Sequence, residues 1–414
     1  MNEHKTGGPG AFATPADRAQ GHEPRSQPWM MAVVGLFIVM VVIAFGRLAF
    51  GMLLPEMRAS LDLSYRQGGY LAAASGLGYL ITVMPAGVMA ARWGGRNTIL
   101  LGMVLVTLSF FGLTLSSHYL LLFGFMAMLG MGSAFAQISQ VALVAGWFVE
   151  RRGAALGLIS SGGGLGLLII GLLVPFLAAH YGDVGWRLAW GLFGVLSMIV
   201  AGLVLLCMSD PPVAHGRTRL PSSNWDVYRN PRVLRVAILY GIIGTTYIVQ
   251  AVFMVSFMLS EGVSAHTAGT IVAVFGILGL FAGPVWGVVS DTLGRSRALI
   301  LCLATVIIAT MLPLLMANTL TFALHYVLLG CSLGGLFPLS QAATTEQVTG
   351  SEVPVALGFA NLLFAIGQLV GPVMAGWLID LTGGFRVGFW ITCVLMMIGM
   401  VLASRIGRAD GVGH

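Results

Sequence analysis

Charge is what this chain has least of. Asp, Glu, Lys and Arg make up 9% of its 414 residues, and 57% of residues are hydrophobic. An ordinary soluble domain carries about 25% charged residues. No soluble core could hide this much apolar surface, so lipid must act as the solvent. Lysine is almost missing, with Lys5 the single example. Cysteine is sparse: Cys207, Cys302, Cys331 and Cys393 sit in apolar runs without redox or metal spacing. That excludes a disulfide framework and a cysteine-built metal site, and leaves four small core residues. Long polar stretches are missing too, the longest between apolar runs being about two dozen residues. A sensor needs a larger soluble domain and an enzyme needs clustered catalytic groups, and neither is visible. No Walker loop appears, so ATP drive is not expected, nor is any cofactor or metal.

Glycine is plentiful, at 57 residues. In lipid, small residues let helices approach closely, whereas in water so many would weaken them. A spanning helix needs about twenty mostly apolar residues. Runs of that kind lie near 30–52, 67–90, 98–116, 120–147, 154–178 and 188–208, then near 232–258, 266–290, 298–316, 320–343, 354–379 and 387–404. The spacing predicts an all-α membrane protein with a disordered cytoplasmic tail (1–29), a six-helix half (30–208), a proline-rich linker (209–231), a second six-helix half (232–404) and a short tail (405–414). Residues 1–28 lack an apolar segment followed by a small-residue cleavage site, so no removable signal peptide is expected.

The net charge of +6 is distributed for topology rather than for nucleic acid. Sixteen basic residues fall in segments on the side of the N-terminus, while Arg58, Arg66, Arg187 and Arg386 fall in the opposite loops. This asymmetry predicts that both termini are cytoplasmic. The remaining basic residue is Arg47. The two halves also echo one another. Gly87-Val-Met-Ala-Ala-Arg-Trp-Gly returns two hundred residues later as Gly287-Val-Val-Ser-Asp-Thr-Leu-Gly, and Gly185-Trp186-Arg187 returns as Gly384-Phe385-Arg386. Two echoes at nearly one offset argue for duplication.

At these residues the chain resembles the major facilitator superfamily, whose signature between helices two and three reads Gly-x-x-x-Asp-Arg-x-Gly-Arg-[Arg/Lys]. The second half matches at Gly287, Asp291, Gly294 and Arg295. The first keeps Gly87, Arg92, Gly94 and, one place late, Arg96, but has Ala91 at the acidic position. The resemblance implies twelve transmembrane helices in two pseudo-symmetric halves and transport by alternating access. It also implies a cytoplasmic gate in which a carboxylate pairs with arginine and faces a helix N-terminus. The stretch Gly146-Trp147-Phe148-Val149-Glu150-Arg151-Arg152-Gly153-Ala154-Ala155-Leu156-Gly157 is similar to bacterial monocarboxylate and organic-acid carriers of the oxalate/formate exchanger type. Two departures matter. The eighth run lacks the basic anchor frequent in monocarboxylate carriers, and Pro175 follows Val174 where drug antiporters carry Gly-Pro.

Arg47 is the one charge deep in an apolar run, and no run has an acidic residue near its middle. A cation in lipid must be paired or face a water-filled cavity. The simplest expectation is that an anionic substrate supplies its counter-charge, since a guanidinium binds a carboxylate through two parallel hydrogen bonds. Pairing with Glu56, bonding to carbonyls and snorkelling outward remain open. Tyr79, Gln137, Gln140, Tyr247, Gln250, Asn361 and Gln368 are candidate cavity-lining residues, because polar side chains in lipid face other helices or water. His325 is a candidate proton carrier, although its place five residues into the tenth run favours the membrane interface. The expected protein is a monomeric, multi-pass bacterial inner-membrane carrier of a small, monocarboxylate-like organic anion. Efflux of a hydrophobic drug or metabolite is the alternative.

Overall fold

The computed structural model describes residues 26–148, 151–210, 225–348 and 352–406. They form twelve long helices. The first, α1, runs unbroken to Leu61 in three parts: Ser26–Val39, a π-helical stretch Met40–Leu48, and Ala49–Leu61. It is followed by α2 (Tyr65–Trp93), α3 (Gly95–Leu115), α4 (Tyr119–Trp147), α5 (Arg152–Tyr181) and α6 (Gly185–Cys207). The second set is α7 (Pro231–Ser260), α8 (Ala265–Leu293), α9 (Arg295–Leu315), α10 (Thr319–Thr345), α11 (Val353–Thr382) and α12 (Arg386–Ser404), preceded by a short helix, Trp225–Arg229. A single 3-10 turn, Gly182–Val184, joins α5 to α6, so residues 153–207 form 55 nearly continuous helical residues. At 1.5 Å per residue that is about 80 Å, far beyond the roughly 30 Å hydrocarbon core, so it makes two crossings. The first helix outruns its apolar stretch. Glu56, expected beyond its end, is half-buried within the helix, which closes only where Asp62 turns left-handed (φ 51°).

The duplication reappears in the backbone. Ser64 caps α2 by accepting from the Gln67 N–H, and Ser264 caps α8 by accepting from the Thr267 N–H. Left-handed turn residues recur at Asp62 and Gly262, and at Gly94 and Gly294 (φ 90° and 85°). The last two are the glycines of the signature repeat. Their positive φ, which costs glycine nothing, makes the tight reversals after α2 and α8.

The halves meet along α2–α11, α5–α8 and the Ala49–Leu61 segment of α1 on α7. Four helices show how they meet. On α2, Gly69 and Gly87 are eighteen residues apart, five turns on one face. A methyl group on Gly69 would strike the Pro372 carbonyl, whereas Gly87 has nothing within 4 Å. On α11, Gly376 abuts the Tyr65 carbonyl, and Gly358, five turns away, has nothing within 4 Å. On α5, Gly171 and Gly164 touch the Gly269 and Gly276 carbonyls, while Gly157 on the same face is open. On α8, Gly269 and Gly276 are in contact and Gly287 is open. The halves are therefore sealed at the loop end and parted at the end bearing the termini. Gly162 approaches the Leu36 carbonyl, the close helix contact its glycine-rich surroundings suggest.

Candidate functional site

Arg47 lies in the π-helical stretch of α1, where the Ala49 N–H bonds the Ala44 carbonyl five residues back. Such wide turns are uncommon and frequently mark functional sites. The guanidinium lies over the Tyr79 ring of α2, 5.0 Å from its centroid, which is cation–π distance. It is also close enough to interact electrostatically with the Tyr247 phenol of α7. Among the described residues no carboxylate reaches salt-bridge distance of Arg47. Glu56 does not pair with it, and one Glu56 carboxylate oxygen is buried without a partner among the described residues.

Two cavities flank this point. One is lined by Gly46, Arg47, Phe50, Ser75, Gly76, Ile248 and Gln368. The Gln368 Nε2 is buried with no hydrogen-bond partner among the described residues. The other, about 90 Å³, is mostly apolar and is lined by Leu48, Met52, Leu167, Tyr247, Gln250, Phe275, His325, Tyr326 and Leu329, among others. Consecutive residues of the π-helical stretch, Arg47 and Leu48, thus border the two cavities, of which the one at Arg47 is the smaller, about 10 Å³. Both cavities draw walls from both halves.

The remaining candidates have distinct places. Tyr79, Tyr247 and Gln368 each neighbour Arg47, although the four are spread over 322 positions of the chain. Tyr79 also interacts electrostatically with Tyr240, whose hydroxyl accepts from the Gln341 amide at 3.2 Å. Gln140 is fully buried and donates to the Gly35 carbonyl at 2.8 Å, tying α4 to α1 inside the first half. Gln250 donates to the Thr310 hydroxyl at 3.0 Å while lining the apolar cavity. Gln137 is half-buried with its Oε1 unpartnered among the described residues. Asn361 is exposed two turns from Gln368 and donates to the Leu357 carbonyl of its own helix. His325 lies near the start of α10, the position that favours the interface, and its side chain is turned into the protein. It is fully buried, with Nδ1 2.8 Å from the Ala309 carbonyl, because α10 turns this face toward α9 and the cavity.

The signature loops are asymmetric. Ala91 leaves the N-terminus of α3 without its usual acid, and Asp210, from the end of α6, takes that place by accepting from the Arg96 N–H at 3.1 Å. Arg92 is exposed. In the second half Arg295 pairs with Glu346 at 2.9 Å, while Asp291 is exposed with no ion pair among the described residues. The open terminal face leaves Asp291 no opposing partner. At the loop end the charge pairing is made instead by Asp380 of α11, whose carboxylate accepts from the Tyr65 and Arg66 N–H groups at 3.0 and 2.9 Å. Those are the first amides of α2, where the helix dipole favours an anion. The uncapped start of α3 was a signal that could have pointed to Asp210.

Twelve membrane-length helices in two repeated halves, parted around a central site at one end and closed at the other, define a multi-pass membrane transporter rather than an enzyme. Residues 39–404 match the family described as uncharacterised MFS-type transporter YbfB, and the chain belongs to that family. It is 26% identical to human monocarboxylate transporter 11, over 99% of this chain and 90% of that protein. It is 24% identical to the agnestins efflux protein AgnL12 of Paecilomyces divaricatus, over 79% of this chain and 75% of that protein. Its fold is shared with a bacterial homolog of the human lysosomal transporter Spinster, solved inward-facing and unoccupied. That match has a TM-score of 0.74 at 17% identity and covers 93% of this chain and 98% of the other.

Proposed function

We propose that this protein carries a small, monocarboxylate-like organic anion across the membrane by alternating access, with Arg47 holding the anionic group. The observation that carries this reading is that Arg47, at the junction of the halves, has no carboxylate partner among the described residues and lies by the Tyr79 ring, with Ser75 and Gln368 lining the same cavity. A carboxylate there would accept from the guanidinium fork and from the Gln368 amide, with the Tyr79 and Tyr247 phenols alongside. Several relatives, the human protein above among them, are named as monocarboxylate transporters, which agrees with this cargo. The excess of arginine on the terminal side supports cytoplasmic termini in a bacterial inner membrane, and the open face would then look inward. A monomer suffices, because each cavity is complete within one chain.

The test is binding and counterflow of short monocarboxylates with purified protein in liposomes. Removing one partner of a desolvated charge pair costs about 2–5 kcal/mol. Arg47 is only half-buried, so the lower part of that range applies, about 2–3 kcal/mol or roughly 30- to 150-fold in Kd. Arg47→Gln is expected to insert normally and lose anion binding by that factor. Normal uptake by this variant would end the proposal. Efflux of a hydrophobic drug or metabolite is the second reading, favoured by the mostly apolar cavity and the similarity to an efflux protein. It predicts resistance on overexpression and no carboxylate counterflow.

A further inference from the structure

The larger cavity has hydrogen-bonding capacity of its own that the anion reading leaves unused. Its lining is mostly apolar and contains no Asp, Glu, Lys or Arg. Three polar atoms are accessible in it and have no hydrogen-bond partner among the described residues: the Tyr247 and Tyr326 hydroxyl oxygens and the Gln250 Oε1. The His325 Nε2 of the same lining is buried and offers the cavity nothing.

Neighbouring groups fix which way the Gln250 amide points. Its Nε2 lies 3.0 Å from the Thr310 hydroxyl, and that hydroxyl donates to the Val306 carbonyl at 2.9 Å. With its proton so committed, the Thr310 oxygen can only accept, so the amide NH2 faces α9 and Oε1 is left to the cavity. A turned amide would set two acceptors against each other. Gln250 Oε1 is therefore a fixed acceptor, while each phenol can donate. Tyr247 and Gln250 are about one turn apart on α7. A ligand group that carries a donor beside an acceptor satisfies both kinds. A group that only accepts leaves Oε1 unmatched. An ion of either sign is disfavoured, because no lining residue supplies a counter-charge. An engineered cavity of ~150 Å³ accommodates benzene. By that comparison a cavity of about 90 Å³ takes roughly four to five non-hydrogen atoms. Its walls come from both halves, with Leu48 and Leu167 from the first and Tyr247, Gln250 and Tyr326 from the second.

We propose that this cavity is a second binding site, separate from Arg47, for a small neutral molecule whose polar end both donates and accepts, as a short-chain primary amide does. The amide N–H donates to Gln250 Oε1, its carbonyl accepts from a phenol, and its carbon chain lies among the apolar residues. Occupancy favours the state in which the walls from the two halves stand together.

The experiment titrates full-length protein in nanodiscs with propionamide, propionate and butan-2-one, three molecules of nearly one shape, by saturation-transfer NMR. The ketone keeps the carbonyl and lacks the donor. Wild type is expected to bind propionamide more tightly than butan-2-one by about fivefold, roughly the yield of one net hydrogen bond. Gln250→Leu removes the acceptor and leaves the Thr310 bond to Val306 in place, so it should lose that preference. Tyr247→Phe/Tyr326→Phe keeps both rings and should weaken propionamide and butan-2-one together. Arg47→Gln should bind propionamide as wild type does. Failure of wild type to bind propionamide overturns the proposal, as does equal binding of amide and ketone, or a preference that survives in Gln250→Leu. A loss of propionamide binding in Arg47→Gln also overturns it, since the amide would then share the Arg47 site. Propionate tests the anion reading independently. If wild type does not bind it, or Arg47→Gln binds it unchanged, that reading fails while a propionamide preference lost in Gln250→Leu still supports the second site.

Discussion

Replacing Asp380 with Asn should loosen the seal at the loop end and shift the protein toward conformations open there. The Asp380 carboxylate accepts from two consecutive backbone amides of α2 across the junction of the halves. Hydrogen bonds to a charged group are worth about 1.5–3 kcal/mol each when shielded, and an anion at a helix N-terminus adds about 0.3–1 kcal/mol. Asp380 is exposed, so salt and water cut these values well below their shielded size. Asn keeps one acceptor oxygen, loses the charge and turns an NH2 toward the other amide. The net weakening is about 1–2 kcal/mol, a factor of roughly 5–30 in the equilibrium between the two states. A state open at the loop end and populated at about 1% would rise to roughly 5–25%. Spin labels on cysteines placed at Ser117 and Met316, exposed turn residues following α3 and α9, would report the separation of the halves by pulsed electron spin resonance. The background would lack the four native cysteines. A longer-distance population should appear in Asp380→Asn and grow in Asp380→Ala. Distance distributions identical to wild type in both variants would refute the assignment of Asp380 as the clasp.

Two further outcomes follow from the same contacts. Gly69→Ala puts a methyl group against the Pro372 carbonyl, so it should shift the spin-label distances in the same direction as Asp380→Asn, whereas Gly87→Ala, open on all sides, should leave this state's melting temperature unchanged; the reverse pattern would contradict the sealed-and-parted geometry. Arg295→Gln breaks an exposed pair with Glu346 worth at most about 1 kcal/mol, and thermal melting should barely move. A loss of several degrees would mean that the pair is buried in the membrane-embedded protein.

Hydropathy and charge along the chain were enough to read the twelve helices, the duplication and the singular position of Arg47. Each depends on local composition or on the spacing of like residues, and lipid enforces both because backbone and charge cannot be left bare within it. The matching turns at Gly94 and Gly294 are local in the same sense, since positive φ selects glycine wherever it occurs. Partnership was a different matter. That Arg47 would meet Tyr79 and Tyr247 rather than Glu56 depends on the rotational phase of α1. A nine-residue π-helical stretch changes the angular step per residue there, so a count at 3.6 residues per turn mislocates everything beyond it.

Gln140 and Gln368 show the same limit from another side. Both are glutamines in apolar runs, yet Gln140 is spent inside the first half on the Gly35 carbonyl, and Gln368 borders the Arg47 cavity with a free amide nitrogen. His325 lies near the start of its helix by count but is sealed in the interior, because α10 turns this face toward the Ala309 carbonyl of α9. What the sequence determined by itself was the solvent, the number of crossings, the repeat and the one charge needing a partner. The tertiary structure alone decided which groups surround that charge, which end of the bundle is closed, and that a mostly apolar cavity lies next to it. Those depend on how two six-helix halves pack, and contacts between residues two to three hundred positions apart leave no periodicity in the chain.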